Sequence, residues 1–488
     1  MFIFLGHSQG QVEVDLYCLQ DNRFEYLTKT ETSDFESFIT EESYSFPDNL
    51  GTVKLLRIKN GDLMFFYSIQ KDSMPKTFIA KIRLSGKMTA NLWKHHYMHY
   101  SNYAADPIVS TYIKNNLTFT MQLPDSPSLI ESGAGERSVF VCRNGVFKEL
   151  GMGLIKKFAS PSNAQITLNE DAVELRFDFA KTVADFEEGW FVVSPKQLVD
   201  VNAKRNLEQL KVLDMNKVKM LRYDGWWLIT REGDYKGWED NSYYHNPGFY
   251  NSMSLAKWYC QPENRLFYNL VISTLKMAVE YTPECGYRLM PTESVVFKTL
   301  FNMGSDYLDT RFSTDCSRFM LKCAKVFGSQ LALEKAKKLA HAYEGFSLTN
   351  RNDFGRGFFL PDYIWSGETK GRILSSLNHV LCEMNYLYEL YLVTKDSRYL
   401  SLATKFLEAI EDSCDLWIKP DGDLWYAYFP SENTFKRNDY PDLTLNDLKE
   451  SCTYHEKIFG KPNKALNKLM ETKKTFLLLQ KTQTPTKK

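Results

Sequence analysis

Near residue 220 the hydrophobic period of the chain changes, and that change limits its fold more than any other feature. Before it, apolar residues come in short alternating runs. VKLLRIKNGDLMFFYSI carries two such runs on either side of Asn60-Gly61-Asp62, a hairpin signal. TFIAKIRL, LTFTMQL, SVFVCRNGVFKEL, AQITLNEDAVELRFDFA and GWFVVS repeat the pattern. Many short strands separated by turn residues predict an antiparallel β-sandwich or β-barrel over residues 1–220. The stretch 195–219 reads as more helical and is expected to link the halves.

After the change the apolar spacing is helical. In SSLNHVLCEMNYLYELYLV the positions are Leu377, Val380, Leu381, Met384, Leu387 and Tyr391, with Ser375 or Ser376 as N-cap. A short link, TKDSR, leads to a second helix with Tyr399, Leu402, Ala403, Phe406, Leu407 and Ile410 on one side. DTRFSTDCSRFMLKCAKVFG, the link GSQ and LALEKAKKLAHAYEGF make an earlier hairpin, and RLFYNLVISTLKMAVEY begins the series. KVFGSQLALEKAKKLA and LVTKDSRYLSLATKFLEA are weakly self-similar. Repeated helical hairpins build an open solenoid or a closed α/α toroid. The links between successive hairpins are long and rich in aromatic and polar residues, as in SLTNRNDFGRGFFLPDYIWSGETKGR, and such loops usually carry function. The expectation is therefore an α+β multidomain chain: the β domain, an all-α (α/α) toroid over 221–480 with a site at its mouth, and a disordered tail at 481–488.

Composition narrows the function by exclusion. Lys plus Arg and Asp plus Glu number 60 each, so bulk charge points to neither a nucleic acid nor a membrane partner. Nine cysteines lie scattered without metal-like spacing. They suggest free thiols in a reducing compartment, and a cytoplasmic location is expected. On that reading the sequon Asn116-Leu117-Thr118 has no meaning. Dinucleotide, P-loop, zinc-protease and nucleophile-elbow motifs are missing from the sequence. No cofactor is called for; a divalent metal and a homodimer stay open. Aromatic residues make up 14% of the chain. A large aromatic core explains most of them, and a glycan site is the other use for so many rings, because the C–H face of a sugar packs on a flat ring.

The segment WYAYFPSENTFKRNDYPDLTLND, Trp425 to Asp447, is too irregular for one amphipathic helix yet crowds phenols and charges together. From Pro361 to Leu448 the chain resembles the C-terminal domain of the D-glucuronyl C5-epimerases. The helix start of that family is similar to Ser375-Ser376-Leu377-Asn378-His379, followed by Leu387-Tyr388-Glu389-Leu390. Its Gly-x-x-Tyr strand is similar to Gly422-Asp423-Leu424-Trp425-Tyr426. Its Arg-x-Asp-Tyr element is similar to Arg437-Asn438-Asp439-Tyr440, then Thr444-Leu445-Asn446. Two departures stand out: His379-Val380 replaces Gly-Phe, and Tyr428 stands where the family has an arginine.

The resemblance implies a toroid acting on an oligo- or polysaccharide by proton transfer at C5 of a uronic acid. That chemistry needs an acid/base group on each face of the ring and a cation for the carboxylate. Tyr426 and Tyr440 are the expected pair, with Tyr428 beside them. Arg437 is expected to bind a carboxylate or lower a phenol pKa. Asn378, His379, Asp439, Tyr363, Trp365 and Arg311 are expected to contact the sugar. Each has a structural alternative: Tyr426 or Tyr428 packing on the wall, Asp439-Tyr440-Pro441 as a turn, His379 as a hydrogen-bonder.

A second constellation points to glycoside hydrolysis or a polysaccharide lyase on the same scaffold. Hydrolysis takes two carboxylates, and Asp240, Asp315 and Asp362 are the candidates. An Asp309–Arg311 ion pair and Asp362 capping a turn are the structural alternatives there. A non-catalytic glycan-binding protein is the third class.

Overall fold

The computed structural model describes residues 264–483 without a break. Before them it describes 2–5, 12–20, 23–47, 51–70, 76–83, 88–94, 108–113, 119–122, 128–132, 137–142, 145–158, 164–169, 172–179, 185–200, 203, 205–206, 219–222, 225, 227–229, 235–237 and 239–245. The sequon at Asn116, residues 484–488 and most of 201–219 lie outside the described residues. The chain divides into two compact units, the second running from Ala278 onward with two short earlier pieces.

In the first unit two antiparallel sheets share one core. The smaller runs Phe2–Leu5, Val12–Gln20, Lys76–Arg83, Ala172–Phe179, Ala164–Leu168, Phe119–Gln122, with Arg23–Tyr26 beside the second strand. The larger is built around Phe186–Ser194, which pairs with Leu63–Gln70, Arg137–Val141 and Gly145–Gly151. Alternation gives each sheet an apolar face: Val14, Leu16 and Cys18 from one meet Val53, Leu55, Phe65 and Phe191 from the other. The Tyr67 ring bridges the sheets, 5.4 Å from Phe78 and 4.7 Å from Phe177. The hairpin at Asn60-Gly61-Asp62 forms as expected, with Arg57 opposite Leu63 and Gly61 at φ 90°.

Of the expected link 195–219, residues 195–200 are irregular and 205–206 helical. One expectation is corrected here. Helix α1 (Arg265–Tyr281) does not open the hairpin series. Up to Met277 it belongs to the first unit, fastened by charge-assisted bonds at the turn. Arg265 Nη2 reaches Asp62 Oδ1 at 2.7 Å, Asn269 donates to Asp62 Oδ2 at 2.8 Å, and Lys276 pairs with Glu41 at 2.7 Å.

The second unit is helical. After the short α2 (Val295–Phe301) come three consecutive hairpins: α3 (Thr310–Phe327) with α4 (Gln330–Thr349), α5 (Leu377–Thr394) with α6 (Ser397–Ser413), and α7 (Asp442–Phe459) with α8 (Lys464–Gln483). Each tight link uses the same chemistry. A residue in the left-handed region stops the first helix: Gly328 (φ 77°), Lys395 (φ 62°), Gly460 (φ 71°). A side-chain acceptor then starts the second: Ser329, Asp396 and Asn463. The last hairpin was not read from the sequence, and α8 runs into the segment expected as tail.

Helices α3, α5 and α7 pack side by side, and each partner helix lies behind. Between its neighbours α5 is buried around its circumference, polar Asn378, His379, Glu383 and Asn385 included. At the N-terminal ends of these helices lie short strands. Leu308–Asp309 pairs with Tyr363–Ile364 before α3. Ser375–Ser376 pairs with Trp425–Phe429, and that strand with Thr434–Asn438, before α5 and α7. No helix among the described residues is long and apolar enough to cross a membrane.

Candidate active site

The short strands bring titratable groups together at the starts of α3 and α5. Asp309 is the N-cap of α3, its Oδ1 accepting from Phe312 N–H at 2.9 Å. Asp362, fully buried, accepts at Oδ1 from Ser376 N–H at 2.6 Å, and its Oδ2 has no hydrogen-bond partner. The Asp362 carbonyl accepts from the N–H of Thr310 at 3.0 Å and from its hydroxyl at 3.1 Å. The Thr310 hydroxyl also lies 2.9 Å from Nδ1 of His379, the tautomer of the ring deciding which atom donates. Nε2 of His379 then faces Asp362 Oδ2 at 3.8 Å, beyond hydrogen-bond length. One turn along α5, neither carboxyl oxygen of the fully buried Glu383 has a well-formed hydrogen bond.

Burial dictates the protonation of this cluster. It pushes the Asp309 carboxyl up to about 7 against its helix-capping bonds, and Glu383 up to about 8, with Thr310 pulling back part of the way. Asp362 is held well above the usual carboxylate range by burial, with Ser376 opposing. Burial, then the charge of Arg311, holds His379 well below 6.5. Asp362 and Glu383 are thus held protonated at pH 7, Asp309 about half so, and His379 is held neutral. Asp447 makes the contrast. Arg311 binds it twice, at 2.6 and 3.2 Å, and burial raises it only to about 6.

Two tyrosines border the cluster. Tyr426 meets Tyr440 edge to face, ring centroids 5.7 Å apart at 85°. Burial, then the charge of Asp362, keeps the Tyr426 phenol well above 10, and Tyr440 is 44% exposed. Tyr363 packs edge to face on His379 and lies 4.0 Å from the Phe297 ring.

Of the residues singled out from the sequence, Tyr426, Tyr440, Tyr363, Asp362, His379, Asn378 and Arg311 come to this end of the helices. Asp315 is a turn along α3, its side chain 35% exposed, 3.4 Å from Arg311 and in contact with Cys382. Others do not join them. Tyr428 is taken up by packing against Phe354, Phe359 and Phe435, its hydroxyl donating to Asn433 at 3.0 Å. Arg437 stands across the hairpin from Tyr426, but its backbone is left-handed (φ 69°) and its guanidinium lies 5.5 Å over Phe429. Phe429 is three residues from Tyr426, so that is the opposite face of the strand. Asp439 is buried in an ion pair with Lys473. Trp365 donates to the Ser305 carbonyl at 2.9 Å. Asp240 is an exposed turn residue of the first unit. The supposed Asp309–Arg311 pair is replaced by Arg311–Asp447.

Glu383 and the N-cap Asp309 were not read as site residues. The signal for Glu383 was its spacing of four from His379, which places both on one face of α5. Among the described residues no group of three or more His, Cys, Asp or Glu is arranged to hold a metal ion.

No family model matches the chain, and no curated protein matches it. Among solved structures it is similar to a family 76 glycoside hydrolase from a bovine Bacteroides thetaiotaomicron strain, at 10% identity over 82% of this chain and 75% of that one, TM-score 0.40. It is similar to a family 76 α-mannanase of Bacteroides thetaiotaomicron at 15% identity over 56% and 66%, TM-score 0.37. It is similar to an unsaturated glucuronyl hydrolase from Bacillus sp. GL1 at 12% identity over 48% and 56%, TM-score 0.33. At these identities and scores the likeness assigns neither a family nor an activity. The likeness to the glucuronyl C5-epimerases rests on the quoted motifs alone.

Proposed function

We propose that the chain is a carbohydrate-active enzyme that cleaves glycosidic bonds by general acid catalysis, with Asp309 as proton donor and Asp315 as the second carboxyl group. One observation carries this reading: the carboxyl groups of Asp309, Asp362 and Glu383 gather in burial at the starts of α3 and α5, burial raises all three, and Asp309 is the least buried. A general acid needs its proton at working pH, and burial supplies that here. Asp309 is 7% exposed where Asp362 and Glu383 are sealed. The charge of Asp315 helps to keep the proton on Asp309. The paired rings of Tyr426 and Tyr440 offer an aromatic surface for a sugar face.

C5 epimerisation is supported less well. It needs one acid/base group on each face of a sugar ring. Tyr426 and Tyr440 touch each other and leave no room for a ring between them. Arg437, meant for the carboxylate, lies on the wrong face.

The test is release of new reducing ends from a panel of α- and β-linked oligosaccharides. The wild type should act, Asp309→Asn should lose at least a hundredfold, and the wild-type rate should fall as pH rises through about 7. Unsaturated products would move the assignment to a lyase. Deuterium entering C5 from D2O without cleavage would move it to an epimerase.

A further inference from the structure

We infer that this site takes an uncharged sugar and discriminates against uronates; the inference rests on the glycan-active reading above and names its substrate class. A uronate carboxylate leaving water needs a cation or several donors waiting for it. Arg311 is the cation whose field acts on Asp309, His379 and Glu383. It is already spent: two bonds to Asp447, one contact with Asp315 at 3.4 Å, and a bond to the Asn378 carbonyl at 2.8 Å. Its side chain is only 12% exposed. The next arginine along α3, Arg318, is likewise held by Glu389 at 3.1 Å and Glu450 at 2.7 Å. Arg437 is turned to the other face of its strand.

What the cluster offers instead suits hydroxyl groups. The Tyr440 phenol stands 44% exposed against the Tyr426 ring, and its hydroxyl can both donate and accept. Acceptors and hydroxyls of this kind exchange hydrogen bonds with sugar hydroxyls at little electrostatic cost. A carboxylate brought to Asp309 would meet a cation already paired and, once Asp309 ionises, like charge.

The experiment measures binding separately from turnover. Matched oligosaccharides that differ only in CH2OH or carboxylate at C6 are titrated into the full chain, with saturation-transfer NMR as readout. The neutral member should bind at least tenfold more tightly. Equal or tighter uronate binding overturns the inference. Asp447→Asn frees the Arg311 guanidinium and should narrow the ratio; Asp315→Asn, at a partly exposed position, does so with less risk to folding. An unchanged ratio in a folded sample of either variant also overturns it. Neutral sugars bound but not cleaved would uphold the substrate class and sink the cleavage reading, and cleavage of uronates would do the reverse. No glycan bound at all would sink both.

Discussion

Lys473 Nζ lies 2.8 Å from Asp439 Oδ2, the two side chains 1% and 0% exposed. The same ammonium is 2.7 Å from Asp423 Oδ1. Asp423 leads into the strand that carries Tyr426, and Asp439 directly precedes Tyr440. One cation from α8 therefore ties both ends of the hairpin that holds the tyrosine pair. Lys473→Met should cost about 3–5 kcal/mol, because two buried carboxylates lose their counter-charge. Adding Asp439→Asn should return part of that. Urea melts of the single and double variants decide it; a loss near that of an exposed pair, below about 1 kcal/mol, would show the ammonium is dispensable.

The buried acids give stability a slope with pH. Asp309 and Glu383 hold their protons in the fold up to about 7 and about 8, and release them near 4 when unfolded. Between those values the folded state binds more protons, so each group makes stability fall as pH rises. His379 works the other way. Its folded pKa is depressed, so stability is lost as pH drops below about 6.5, where the unfolded ring charges. Glu383→Gln removes one term only. It should flatten the decline between pH 5 and pH 8 and leave the acid limb unchanged, as read by urea midpoints. A decline of unaltered slope would mean Glu383 is ionised in the fold.

How much of this could be read from the chain follows from the range of the forces. The two periods and the capped links at Gly328-Ser329 and Lys395-Asp396 are local, and they announce strands, helices and hairpins directly. Arg437 was misplaced because its direction depends on a left-handed backbone at a strand end, which no spacing rule reports. Asp439 was misplaced because its partner Lys473 arrives from a helix more than thirty residues away. That lysine looked like surface charge on α8, whose own apolar face is weak. Glu383 escaped notice because α5 is buried on every side, and a polar residue off the apolar stripe reads as solvent-facing. Tyr426, Asp362 and His379 were visible because each lies beside a helix start or strand that the sequence marks.

The three tyrosines of the hairpin separate site from scaffold. Tyr426→Phe and Tyr440→Phe keep the rings and remove only hydroxyls at the candidate site. Each should lower turnover at least tenfold with an unchanged melting temperature. Tyr428→Phe should leave turnover within about twofold and cost about 1 kcal/mol, from loss of the bond to Asn433. Initial rates and thermal melts on the three variants suffice. Equal losses of activity in all three would show that the hairpin acts only by its rigidity.

Asp362 and Asp447 are buried alike and should respond oppositely to the same substitution. Asp362 is neutral in the fold, with Ser376 N–H on one oxygen and no partner on the other. Asparagine copies a protonated aspartate in shape and charge, so Asp362→Asn should change stability by less than about 1 kcal/mol at pH 7. Asp447 is the counter-charge of Arg311, and its pKa near 6 leaves it mostly ionised at that pH. Asp447→Asn strands a buried guanidinium and should cost about 3–5 kcal/mol. The two denaturation midpoints, measured side by side, test the protonation of the cluster without any substrate. A large loss at Asp362 would show an ionised carboxylate there, and the proton store proposed for catalysis would be gone.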